Sequence, residues 1–160
     1  MDKMMLIAAA AVAACMACKG KSEAPVVEEP PPWEFPGEEV APEDIPENVE
    51  VVMNQPTIEG TLTDEAARSA LRPQIEDLVR CYEVRLARHC KIKGHMRISI
   101  DVSQKGQILG MQVLSDTTRD TRLGDCVSKV IRKASFGETD EQSTIIVNYA
   151  FDPPEKIRCE

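Results

Sequence analysis

One long stretch of this 160-residue chain contains neither lysine nor arginine: Ser22 to Thr57 holds ten acidic residues and no base. Aromatic side chains are scarce throughout, with one tryptophan, two tyrosines and three phenylalanines. Any core is therefore small and mostly aliphatic. No apolar run is long enough to cross a bilayer; Met4 to Ala14 gives 11 residues where about 20 are needed. Catalytic signatures are missing too, with no G-x-S-x-G, no H-E-x-x-H and no phosphate-binding loop. His89, Cys90 and His95 are three metal-ligand types in one loop with no fourth beside them. Glu76 and Asp77 are adjacent carboxylates, but they sit at helical spacing from Arg72 and Arg80 and read as a solvated, ion-paired face. The expectation is a chain that is not an enzyme, with no cofactor, no metal and no small-molecule substrate.

The N-terminal residues explain the first two of six cysteines. Lys3 precedes the apolar run, which has the length of a secretory h-region. Cys15-Met16-Ala17-Cys18 forms a C-x-x-C, yet no strand or folded domain has room before it, as a redox dithiol requires. Val12-Ala13-Ala14-Cys15 instead resembles a bacterial lipobox, an aliphatic residue and two small ones before a cysteine. That resemblance implies a signal over residues 1–14, cleavage before Cys15, and lipid on the Cys15 thiol. Cys18 is the alternative attachment site. Several acyl chains would hold the protein on a membrane, since one alone is marginal.

Residues 15–57 read as an acidic, Pro-rich disordered linker. Eight prolines fall between Lys19 and Thr57, including Pro30-Pro31-Pro32. Proline blocks helix, like charges extend the chain, and too few apolar residues are present to offset ordering entropy. In polyproline II geometry, at about 3.1 Å per residue, such a spacer reaches on the order of 100 Å. Trp33 and Phe35 form an isolated aromatic pair within it. The net charge of −8 belongs to the residues before Ile58, because residues 58–160 carry 16 acidic and 16 basic residues. A neutral domain with scattered bases offers no footprint for nucleic acid.

Residues 58–152 read as one domain, followed by a tail at 153–160. Leu71, Ile75, Leu78, Val79, Tyr82 and Leu86 recur at helical spacing over 63–89, with Thr63 as cap and a break at Pro73. Met96, Ile98, Ile100 and Val102 alternate as a strand covered on one face. Ser103-Gln104-Lys105-Gly106 is a turn. The strand after it, 107–114, loses its parity between Ile108 and Met111, which a bulge at Leu109-Gly110 restores. Leu123, Cys126, Val127, Val130, Ile131 and Ala134 mark a second helix over 119–134, and 144–151 alternates as a last strand. The fold class is α+β, in the order helix-strand-strand-helix-strand. Two helices pack on one face of a three-stranded antiparallel sheet.

Three of these stretches, Gly60 to Glu83, Ser103 to Ile108 and Asp125 to Gly137, resemble the AgmX/PglI C-terminal domain, a relative of the TonB C-terminal domain. The likeness is densest in Arg80-Cys81-Tyr82-Glu83 and Asp125-Cys126-Val127. Ala134 and Gly137 depart from it, standing where the family has tryptophan and proline. The resemblance implies a periplasmic, non-catalytic domain of the cell envelope, with members in gliding-motility machinery.

In an oxidising periplasm Cys81 and Cys126 are the natural pair, each beside the apolar face of its helix, and the family points to the same two. Cys90 and Cys159 flank the first and last strands; they pair if those strands are antiparallel neighbours, and otherwise are exposed thiols or join two chains. The expected partners are the membrane, through the lipid, and an unidentified envelope protein, or a second copy in a structural lipoprotein. As TonB-like domains imply, a partner strand adds to the last strand, through Ile145, Val147, Tyr149 and Phe151, or to the hairpin edge. The expected location is the periplasmic side of the outer membrane rather than the inner.

Overall fold

Thr63 starts the first helix. Its hydroxyl accepts a hydrogen bond from the Ala66 N–H at 3.2 Å, and Asp64 and Glu65 occupy the positive end. A computed structural model of the chain describes residues 40–155, and this helix, α1, covers Asp64–Leu71. Pro73 has no N–H to give, so Arg72–Gln74 forms one 3-10 turn before α2 resumes over Ile75–Arg88. The inward stripe continues across the break through Ala67, Leu71, Leu78, Cys81, Tyr82 and Leu86.

Five strands make one antiparallel sheet: β1 (Glu50–Met53), β2 (Thr57–Glu59), β3 (Gly94–Val102), β4 (Ile108–Asp116) and β5 (Ser143–Asp152). β5 lies in the middle, with β3 and then β4 on one side. On its other side β1 pairs with the second half of β5 and β2 with the first half. Met96, Ile98, Ile100 and Val102 of β3 and Ile145, Val147, Tyr149 and Phe151 of β5 are wholly buried. They form one cluster with α1, α2 and α3 (Thr121–Ile131), whose stripe is Leu123, Cys126, Val127, Val130 and Ile131. Tyr82 and Phe151 meet edge to face at 5.3 Å between ring centres. Ala134 is buried in the same cluster, whereas Gly137 is exposed.

The architecture is thus mixed α+β with the expected core elements, but the sheet has five strands rather than three. The additions come from β1, inside the segment read as linker, and from β2, which straddles its boundary. Only Val51 of β1 is buried, and β5 and α2 supply that burial. A four-residue strand in acidic, Pro-rich surroundings carries no period of its own.

Gly106 turns the β3–β4 hairpin at φ +75°. Its carbonyl accepts from the Phe136 N–H at 3.0 Å, and the Gln104 carbonyl accepts from the Thr139 N–H at 2.8 Å. The hairpin tip is thereby stitched to the loop between α3 and β5. β4 carries the expected bulge at Leu109, because Asp101 pairs with Gly110 and Val102 with Ile108. A second falls at Leu114, where Arg97 pairs with Ser115 and Ile98 with Val113.

Candidate interaction surface

Among the described residues, β4 pairs with β3 alone, so one row of its backbone groups is left without a strand. Three of the four large apolar side chains exposed among the described residues belong to it: Leu109 at 60%, Leu114 at 45% and Val113 at 39%. The fourth, Val52, stands on β1 at the opposite edge. The bulges account for two of the three, since an extra residue drops out of the in–out alternation. Val113 sits opposite Ile98, on the core side, but at the rim of the sheet. Between the bulges, Gly110 to Val113 keeps regular register with Ile98 to Asp101.

β5 offers no such edge. Both of its sides are paired, and Ile145, Val147, Tyr149 and Phe151 are core residues. This corrects the expectation that the last strand is open. Being last in the chain does not make a strand an edge once the segment before α1 folds back onto it. The hairpin edge was the second expected position, and it is the open one. The parity slip at Leu109 was visible in sequence; the slip at Leu114 was not, because the strand was expected to stop there and runs on to Asp116.

Cys81 and Cys126 are disulfide-bonded, with Cα atoms 6.0 Å apart, joining α2 to α3 inside the core. Cys90 is disulfide-bonded as well, and its partner is not among the described residues. Cys15, Cys18 and Cys159, together with Trp33 and Phe35, lie outside them.

Arg85 and Asp120 form a nearly buried ion pair, Nη2 to Oδ2 at 2.8 Å. Burial pushes the Asp120 carboxyl up, but hydrogen bonds from Arg85 and from the Leu123 N–H, with the charges of Arg85 and His89, hold it below the usual carboxylate value. Asp77 pairs with Lys133 and Arg80 with Glu83. The Glu76-Asp77 face is therefore ion-paired through Lys133, where Arg72 and Arg80 were the expected partners. The Tyr82 hydroxyl donates to the Ile92 carbonyl at 2.6 Å; burial, and then the charge of Asp152, raise it far above its ordinary range. Burial does the same to Tyr149. Its hydroxyl and Asn148 Oδ1 have no hydrogen-bond partner among the described residues. Neither phenol is positioned to exchange protons near neutrality. Among the described residues, no three of His, Cys, Asp and Glu are grouped to hold a metal, and no helix is long and apolar enough to cross a membrane.

In comparisons with known proteins, no family model matches the chain, and no curated protein matches it.

Proposed function

We propose that this chain is a lipid-anchored protein-interaction module of the bacterial cell envelope, facing the periplasm and working by binding rather than catalysis. The observation that carries the reading is β4: an open edge with Leu109, Val113 and Leu114 exposed along it. Edges are blunted by charge, proline or bulges; β4 has two bulges but neither charge nor proline from Ile108 to Ser115, so the run between the bulges stays open. Only the stretch from Gly110 to Val113 is regular, so an added strand would make a short ladder and draw much of its affinity from the apolar side chains. The lipobox at residues 12–15 and the acidic linker supply the rest of the reading. An anchored domain on a long spacer meets a neighbouring envelope protein at raised effective concentration. Two disulfide-bonded sites suit an oxidising compartment. The AgmX/PglI resemblance, carried by the residues around Cys81 and Cys126, points to the same compartment and to an envelope-spanning, motility or transport-type complex.

The second reading is a structural lipoprotein that self-associates, and it is favoured by the same apolar edge meeting its own copy across a two-fold axis. Crosslinking in the native envelope followed by purification separates the two. Recovery of a different envelope protein supports the first reading, and recovery of this chain alone supports the second. Mass spectrometry of the mature N-terminus tests the anchor: the proposal requires an acylated Cys15 or Cys18 and fails if neither carries lipid.

A further inference from the structure

The acidic and basic residues after Thr57 cancel in number, 16 against 16, but the fold separates them. One end of the sheet is where α2 ends, β3 begins, β4 ends and α3 begins. From Val84 to Ile100 the sequence has five Lys or Arg and two His, with no carboxylate. Arg85 is engaged with Asp120, while Arg88, Lys91, Lys93 and Arg97 are exposed. Arg119 joins them because the loop after β4 is tied to the start of β3. The Thr117 N–H donates to the His95 carbonyl at 3.0 Å, and the His95 N–H to Thr117 Oγ1 at 2.8 Å. None of these five cations forms an ion pair within the described residues. Acidic residues share this end: Asp116 accepts two hydrogen bonds from Thr118, Asp152 lies on β5 next to β3, one residue beyond the Phe151–Gly94 pair, Glu50 pairs with it on β1, and Glu155 follows β5.

The opposite end gathers Glu59, Asp64, Glu65, Glu138, Asp140 and Glu141, with Lys105 of the hairpin turn among them. There the Glu141 N–H donates to Thr61 Oγ1 at 3.1 Å and Gln104 Nε2 to the Asp140 carbonyl at 2.9 Å. The neutral domain is therefore polarised along its strands.

We infer that the basic end is a docking surface for this chain's own residues 22–39. That segment has six glutamates (Glu23, Glu28, Glu29, Glu34, Glu38 and Glu39) and no Lys or Arg. It enters the fold at the right end. Glu50 pairs with Asp152, one residue beyond the Phe151–Gly94 pair that opens β3, so β1 begins two strand spacings from β3, about 10 Å. Ten Cα steps run from Val40 to Glu50, a 3-10 turn at Pro42–Asp44 among them, so the run is shorter than the about 33 Å of an extended chain and still long enough to bridge the about 10 Å between β1 and β3, with Glu38 and Glu39 next in the chain. The nearer acids Glu43, Asp44 and Glu47 are exposed and make no ion pair within the described residues, which leaves the cations to the segment before them. Trp33 and Phe35 suit the same surface, since aromatic faces attract guanidinium and ammonium groups. Covalent attachment puts the segment at millimolar effective concentration. The docked state shortens the tether and covers the basic end, and salt releases it. This inference stands apart from the β4 edge and does not need the lipid anchor.

Trp33 is the single tryptophan and reports on it directly. In the full chain at low ionic strength, Trp33 emission is expected to be blue-shifted with raised anisotropy. Both relax as salt approaches about 1 M, where the screening length is about 3 Å. The variant R88E/K91E/K93E is expected to give the relaxed values at every salt concentration. Carbodiimide coupling of the unmodified chain is expected to link Lys91 or Lys93 to Glu28–Glu39 about fivefold more than Lys105 or Lys129 under low-salt conditions, and to lose that preference when screened. Trp33 signals indifferent to salt, or crosslinks spread evenly over the lysines, would overturn the proposal. So would anionic phosphatidylglycerol vesicles binding the unmodified chain as tightly as an E28Q/E29Q/E38Q/E39Q variant, because the basic end would then be a membrane site that the segment does not occupy.

Discussion

Arg85, near the end of α2, closes on Asp120, the residue that caps α3, with its Nε 3.2 Å from both carboxylate oxygens and its Nη2 2.8 Å from one of them. The same carboxylate accepts the Leu123 N–H at 2.8 Å. One side chain thus starts a helix and fixes that helix against its neighbour. Asp120→Ala removes the cap and strands a buried guanidinium, so a loss of about 3–5 kcal/mol in urea unfolding is expected. Replacing both charges while keeping a cap, R85M with D120S, is expected to cost about 1 kcal/mol or less. A double variant as unstable as D120A would contradict this.

The same pair sets a pH dependence. The Asp120 carboxyl titrates below its ordinary value in the folded state, so across the acid range the unfolded chain binds the proton more readily. Its contribution is present in full above the unfolded pKa and disappears as pH falls through the folded pKa. Stability is therefore expected to climb with pH through the acid range, and D120N is expected to flatten that climb. Equal slopes for the two proteins in chemical denaturation would count against Asp120 as the group responsible.

The Cys81–Cys126 bond closes a separation of 45 residues in a domain with few aromatic anchors. In the chain-entropy account a loop of that size contributes about 4 kcal/mol. C81S/C126S is expected to melt on the order of 20 °C lower by calorimetry. A variant melting with the unaltered protein would show the bond to be dispensable.

Gly106 and Gly137 provide a paired test of the hairpin. A Cβ at Gly106 would overlap the Phe136 carbonyl, and its φ of +75° is unfavourable for any other residue. At Gly137 a Cβ meets nothing within 4 Å. Gly106→Ala is expected to lose about 1–3 kcal/mol, and Gly137→Ala to stay within about 1 kcal/mol of the original, both read from urea unfolding.

Where a segment buries a full stripe, the sequence reading and the structure agree. The Leu71-to-Leu86 spacing, the break at Pro73, the alternation from Met96 to Val102 and the parity slip at Leu109 all encode the side of the chain that faces the core, and a local pattern suffices. β1 and β2 escaped because Val51 alone is buried in β1 and none of β2 is; their pairing with β5 is a long-range fact written in no local period. Without β1 and β2 the last strand looks as open as the hairpin edge, whereas β5 is paired on both sides and only β4 is open. Charge escaped for a related reason. Summed along the chain, Lys91 cancels Glu138, but topology sends the two to opposite ends of the sheet, and only the folded arrangement shows a pole.

The β4 edge is the proposed meeting place of this domain with another protein. A photo-crosslinking amino acid placed at Leu109 or Leu114 in living cells, with exposed Lys129 on α3 as control, tests it most directly. A discrete adduct between this chain and a different protein is expected from both β4 positions and none from Lys129. No adduct from β4, or the same adduct from all three positions, would contradict it.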